Sequence, residues 1–383
     1  MHITHPYIYV FSFLIVAGLF FSLPTFKFID DSSSPERNTP LDSIRYFLAS
    51  FVFFSHAFFL RDIVLKGTWT GHTSPEIAYL AQIGVTVFFM ITGYLFWNIV
   101  KKEHIDWVDL YKNRIFRITP VLFFNNLFIA AIIFYITTTL PNGNFIKWFD
   151  IINNNLSDYS AYTPTWSLTA GVRWTLVYEW GFYFSLPILA LLNKKPFETV
   201  LGLLFISIYA ADYLNPKIPF NFMSMFFFGM LISELSSKIN TSTLILDILF
   251  VVVILIIFTM NPTVYVTSSI LNPLLAIAVF CLSKGATIFG LLNIKGFKRL
   301  GQASYSIYIM HASVIFIIYK VANKFNLLTE NSSSICVSIL SFTIVLFVST
   351  LTYAIIERPF MRFGKKLKIK PYESTAEMQA RSP

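Results

Sequence analysis

Apolar runs of about 20 residues, each long enough to cross the hydrocarbon core of a bilayer, follow one another from Pro6 to Ile356 with polar breaks between them. In order they predict spans at about 6–23, 42–60, 77–100, 118–139, 170–192, 197–214, 219–236, 243–260, 264–283, 301–320 and 335–356. The pattern predicts an all-α polytopic membrane protein of roughly eleven helices. The first run has neither a basic n-region nor a small-residue cleavage site, so it reads as a retained helix and not a signal peptide. A polar stretch over 28–40, with Asp30, Asp31, a serine run, Pro35 and Pro40, reads as a linker. The chain thus divides into an extra N-terminal transmembrane helix (1–27), the linker (28–40), a ten-helix membrane domain (41–360) and a basic tail (361–383).

Composition agrees with this reading. Of 383 residues, 55% are hydrophobic and only 13% charged, with a mean hydropathy of +0.64, which excludes a soluble domain. The net charge of +9 does not point to nucleic acid, because the cations gather in short loops beside apolar runs and form no aromatic-interleaved surface. Lys101, Lys102, Lys112, Arg114 and Arg117, then Lys194 and Lys195, then Lys238, then Lys284, Lys295, Lys298 and Arg299, and finally Arg358 to Lys370 follow alternate spans. By the positive-inside rule these loops face the cytosol. The expected location is the inner (plasma) membrane, with the N-terminus outside and the C-terminus cytoplasmic. Cys281 and Cys336 both lie in apolar runs and read as small hydrophobes, so neither a disulfide framework nor a metal site is expected.

Against this apolar background a few ionisable positions stand out, and such groups in lipid are costly enough to mark function or a buried partner. Arg45 and His56 lie 56 − 45 = 11 residues apart, about three helical turns plus 20°, which places them on nearly one face at depths differing by roughly 16 Å. A snorkelling arginine and a packed histidine would fit the same spacing. Arg114 and Arg117, three residues apart, share a helix face, and their guanidinium forks match phosphate oxygens; lipid headgroups would also satisfy them. Glu179 lies in the outer half of its span, where it can orient a hydroxyl or a histidine, or serve as a structural partner for a cation. His311 follows Ser304, Tyr305 and Tyr308 down another span, and the two in-membrane histidines are candidates for one polar cavity. Glu357 and Arg358 read as an interfacial ion pair before the helix stop at Pro359. The aromatics of the long loop 141–173, Trp148, Tyr159, Tyr162 and Trp166, are most simply interface anchors, with a platform for a sugar ring as the functional alternative. No Gly-x-Ser-x-Gly elbow, Walker loop, His-Glu-x-x-His or carboxylate-rich ion path is present.

Taken in order, these residues form a set. Leu41-Asp-Ser-Ile-Arg45 with His56, the block from Gly84 to Leu95, Arg114-x-x-Arg117, Trp174-Thr-Leu-x-x-Glu179 with Tyr183 and Pro187, Ser304-Tyr-x-x-Tyr-x-x-His311, and Glu357-Arg-Pro resemble the successive landmarks of acyltransferase family 3, over residues 41–360. That family comprises integral-membrane O-acyltransferases acting on lipopolysaccharide, exopolysaccharide and other glycans. Two departures are visible: Thr86 stands where many members carry aspartate, and Thr92 where many carry serine.

The resemblance implies transfer of an acyl group, acetyl above all, from acetyl-CoA as donor substrate to a hydroxyl of an extracytoplasmic glycan or glycolipid. It implies His56 as base or acyl carrier, with Arg45 and Glu179 assisting it. Arg114 and Arg117 would hold the CoA phosphates, and His311, Tyr305 and Thr92 would complete the polar cavity. No metal is implied. The alternative is a transporter or flippase in which the same groups line a translocation path without acyl chemistry.

Overall fold

The computed structural model describes residues 6–31, 39–69, 74–152, 156–213, 220–260, 270–329 and 331–367. The serine-rich part of the linker, the start of the 264–283 span and the tail beyond Leu367 lie outside the described residues. The described chain is all-α, with no strand among its elements. The long helices are α1 (Pro6–Phe20), α2 (Thr39–Lys66), α3 (Pro75–Val100), α4 (Trp107–Thr137), α5 (Trp174–Leu191), α6 (Pro196–Tyr213), α7 (Phe220–Lys238), α8 (Thr243–Thr259) and α9 (Leu271–Ser283). A short helix α10 (Lys295–Gln302) precedes α11 (Ser304–Lys324), α12 (Asn331–Thr352) and the terminal α13 (Arg358–Lys366). A helix stands in the place of every expected span. Among the described residues, α2, α3, α4, α11 and the run Ser333–Lys366 through α12 and α13 are long and apolar enough to cross a bilayer, and α1, α8 and α9 are shorter apolar helices.

Of the boundaries that differ from the sequence reading, two matter for the site. α4 begins at Trp107, eleven positions before the expected 118 (118 − 107 = 11). Its first turns are polar and escape a hydropathy criterion. They are helical because Asp106 caps the Asp109 amide at 2.8 Å, while Lys112 pairs with Asp109 at 2.5 Å and Asn113 donates to it at 2.8 Å. The expected 301–320 span breaks at Ala303 into α10 and α11.

The core is built around α3. Gly84 and Gly93 are nine residues apart, about half a revolution at 100° per residue, and so face opposite ways. A Cβ at Gly84 would stand 2.7 Å from the Leu48 carbonyl oxygen of α2, and one at Gly93 would stand 2.1 Å from that of Phe226 in α7. α3 is therefore clasped by α2 and α7 at backbone contact, the close approach that small residues permit in membranes.

Contacts gather the basic loops at one end of the bundle: Lys101 meets Glu234 at 3.2 Å, Lys284 donates to the Ser236 carbonyl at 3.0 Å and Lys112 donates to the Leu367 carbonyl at 2.6 Å. A strap after α1, a 3₁₀ turn over Pro24–Ile29, crosses this basic end. Arg299 holds it by Asp30 at 2.7 and 3.0 Å and by the Phe21 and Leu23 carbonyls at 2.8 Å each. Arg362 adds a contact to Asp31 at 3.0 Å. The described part of the loop 141–173 packs on the α2–α3 connection through Trp166, 5.2 Å from Trp69.

Candidate active site

A cavity of about 90 Å³, room for a slender chain or a few water molecules, opens between α2, α3, α4, α5 and α11, its walls largely apolar with a few polar and charged groups reaching in. Arg45 enters it from α2, Thr92 from α3, Arg114 and Arg117 from α4, Glu179 and Tyr183 from α5, and Tyr305 and Tyr308 from α11. The early start of α4 places Arg114 and Arg117 inside a formed helix, where i and i+3 share a face. Arg114 lies over the Phe96 ring at 5.0 Å, close enough for a cation–π attraction. Glu179 accepts a hydrogen bond from the Tyr183 hydroxyl one turn on. Tyr305 donates to the Ile118 carbonyl at 2.8 Å, tying α11 to α4. Arg45 approaches Asp42 only to 4.0 Å.

Glu357 adds a second carboxylate beside this cavity. It closes a π turn over Tyr353–Glu357, is fully buried, accepts from the Ser306 hydroxyl at 2.7 Å, and feels the charges of Arg117 and Arg45. Arg358 points elsewhere, donating to the Phe28 carbonyl at 2.7 Å and the Asp30 carbonyl at 3.1 Å. The expected interfacial pair of Glu357 with Arg358 is thus corrected: consecutive helical residues diverge by about 100° and cannot share a face.

His56 and His311 meet directly. Their rings lie nearly parallel, 12° apart with centroids at 5.2 Å, and His56 Nδ1 is 2.9 Å from His311 Nε2. Neither ring lines the cavity. Tyr308 stands between, as part of the cavity wall with its ring 6.2 Å from His311 and its hydroxyl 3.1 Å from Thr175. Glu179, bonded to Tyr183, has no described contact with His56.

On the far side of the histidine pair lie aromatics. Trp69 stacks on Phe59 at 4.9 Å, approaches His56 at 6.4 Å and meets Trp166 at 5.2 Å. The loop carrying Trp166 has its own core, with Trp148 and Tyr159 fully buried and edge to face at 5.0 Å. For these two the expected interface anchoring is replaced by packing. Arg173, at the head of α5, is buried and ties the loop down through the carbonyls of Trp148, at 2.9 Å, and Asp150.

The pattern of an acyltransferase domain matches residues 38–355. The chain belongs to the acyltransferase 3 family. No curated protein and no solved structure matches it. As a member of this family the protein is a membrane acyltransferase, and α1 with the strap lies before the matched region. Within this acyltransferase domain the structure brings Arg45, Thr92, Arg114, Arg117, Glu179 and Tyr305 into one cavity and pairs His56 with His311. Sequence reasoning missed the Glu179–Tyr183 bond, although the i, i+4 spacing signals it. It also missed Trp69, which sits in a short loop with no pattern to single it out.

Proposed function

We propose that the protein transfers an acyl group, acetyl in the simplest case, from cytosolic acyl-CoA to a hydroxyl of an extracytoplasmic glycan or glycolipid across the plasma membrane. One observation carries the reading. Three guanidinium groups from two helices converge with Glu179 in one cavity, and His56 stands three turns further along the helix that brings Arg45 there. The positive-inside rule makes the basic end, and with it the C-terminus, cytoplasmic.

Arg114 and Arg117 then bind the CoA phosphates at the mouth, where guanidinium forks suit phosphate oxygens. Arg45 lies on the path of the pantetheine arm, and the hydroxyls of Thr92 and Tyr305 line it. Glu179, steadied by Tyr183, orients the reacting groups. The acceptor arrives from the aromatic side, and His56 removes its hydroxyl proton as the oxygen attacks the thioester carbonyl. The C–S bond breaks, and the departing CoA thiolate takes up the proton that His56 received. A neutral histidine suits this base role near pH 7.

The test uses membranes carrying wild-type or His56→Ala protein, supplied with radiolabelled acetyl-CoA and the native surface glycan. Removing a general base costs typically about 10²–10⁴-fold, so the variant loses acetyl transfer while still binding CoA. Wild-type transfer by His56→Ala would falsify the assignment. Solute binding by the wild-type protein with no thioester loss would point to transport instead.

A further inference from the structure

The histidine pair carries information that the cavity does not. His311 Nδ1 lies 3.2 Å from the carbonyl oxygen of Ile307, one turn back on α11. A carbonyl oxygen only accepts, so Nδ1 carries the hydrogen, and in a neutral imidazole Nε2 then holds the lone pair. That Nε2 is the atom 2.9 Å from His56 Nδ1. His56 Nδ1 must therefore donate, which leaves the lone pair of His56 on Nε2. A single backbone carbonyl thus fixes both tautomers in series. With the opposite tautomers, His311 Nδ1 would set its lone pair against the lone pairs of the Ile307 oxygen.

We infer that His311 is a positioning residue that holds His56 in the Nε2-basic tautomer, forming a neutral histidine–histidine relay in place of the usual histidine–carboxylate pair. The inference rests on the reading of His56 as the base. Burial supports the division of roles: His311 has no exposed surface, whereas His56 keeps some. Phe53, at 6.5 Å from the His311 ring, and Tyr308 enclose the partner further.

The surroundings also explain why the partner is neutral. A histidine–carboxylate pair carries a net charge, and an isolated charge inside a bilayer is costly, whereas two neutral imidazoles carry none while the site rests. The relay still works once charged. When His56 Nε2 accepts the acceptor's proton, the imidazolium keeps its Nδ1–H bond to His311, now charge-assisted and about twice as strong as a neutral one. Glu179 accepts from Tyr183 and has no described contact with His56, so no carboxylate takes this place.

Two measurements on the full-length protein in lipid bilayers test the relay. Nitrogen-15 NMR of histidine-labelled wild-type protein, with signals assigned by His56→Ala and His311→Leu, should show His56 protonated at Nδ1 and bare at Nε2. Protonation at Nε2 overturns the proposal whether or not the protein is active. In kinetics, His311→Leu should lower kcat by at least about tenfold, at the modest end for losing orientation of a general base, with the acyl-CoA KM within about twofold. His311→Gln, whose amide oxygen can accept from Nδ1–H, should recover most of that loss. Wild-type kcat in His311→Leu, or His311→Gln no better than His311→Leu at equal folded yield, overturns it. The base reading fails on a separate observation, full activity of His56→Ala, so the two failures are distinguishable.

Discussion

At the scale of single residues, the cavity separates groups that should bind from groups that should react. Arg114 and Arg117 are placed for phosphate, so their loss should appear in donor affinity. A charge-assisted hydrogen bond contributes about 1.5–3 kcal/mol, which corresponds to roughly 10–150-fold in a binding constant. Steady-state kinetics of Arg114→Ala and Arg117→Ala should show the acetyl-CoA KM raised by about that factor, with a far smaller change in kcat than His56→Ala gives. Lysine should restore only part of the effect, because an ammonium lacks the planar fork. A fall in kcat at unchanged KM would remove these arginines from the donor site. The same physics made them legible in the sequence. Arg45, Arg114, Arg117 and Glu179 stand out because an ionisable group in an apolar run must be accounted for. Phe96 and Trp69 do not stand out, since one aromatic among 42 phenylalanines, 19 tyrosines and 7 tryptophans carries no mark.

At the scale of elements, hydropathy finds the existence of helices and loses their ends. α4 extends beyond its apolar run because a cap and i, i+3 and i, i+4 side-chain pairs stabilise polar turns that need no bilayer, and those turns carry the two arginines of the site. The strap after α1 straddles two sequence readings, its start inside the expected N-terminal helix (1–27) and its end inside the linker (28–40). Its order comes from Arg299, some 270 residues later in the chain, which no local pattern can reveal. The Arg299 guanidinium hydrogen-bonded to Asp30 holds that carboxyl below its ordinary value of 3.8. A depressed carboxylate pKa contributes stability above the unfolded value, and the contribution is lost as pH falls through the folded one. The strap should therefore stay clamped at neutral pH and loosen only below about pH 4. Hydrogen exchange over residues 22–31 in detergent should rise between pH 5 and pH 3 relative to the pH-corrected rate of α3. Asp30→Asn should show the raised exchange already at pH 7. Equal protection in that variant would assign the strap's order to its aromatic contacts, such as Phe26 against Phe347 at 5.7 Å.

At the scale of the whole molecule, the bundle has two chemically unlike ends joined by one helix. α2 brings Arg45 to the other guanidinium groups and, three turns on, presents His56 to Trp69, which in turn meets Trp166. The charge pattern made a basic end legible in the sequence, because cation-rich loops fall on alternate breaks. It could not reveal that the loop 141–173 packs Trp148 inward, since the Trp148 carbonyl is held by Asn126, from within α4, and by Arg173, at the head of α5. If the donor enters at the basic end and the acceptor at the aromatic end, damage at the two ends should be kinetically separable. Trp166→Ala removes the ring against Trp69 while leaving the arginine cavity intact. It should raise the acceptor KM, by about tenfold for the loss of one aromatic stacking contact and the packing it supports, and leave the acetyl-CoA KM within about twofold. Sealed vesicles add the sidedness: inside-out vesicles should use externally added acetyl-CoA, and right-side-out vesicles only acetyl-CoA loaded within. Equal use from both sides, or a Trp166→Ala defect in donor KM, would mean that both substrates share one entrance, and the proposed path along α2 would have to be abandoned.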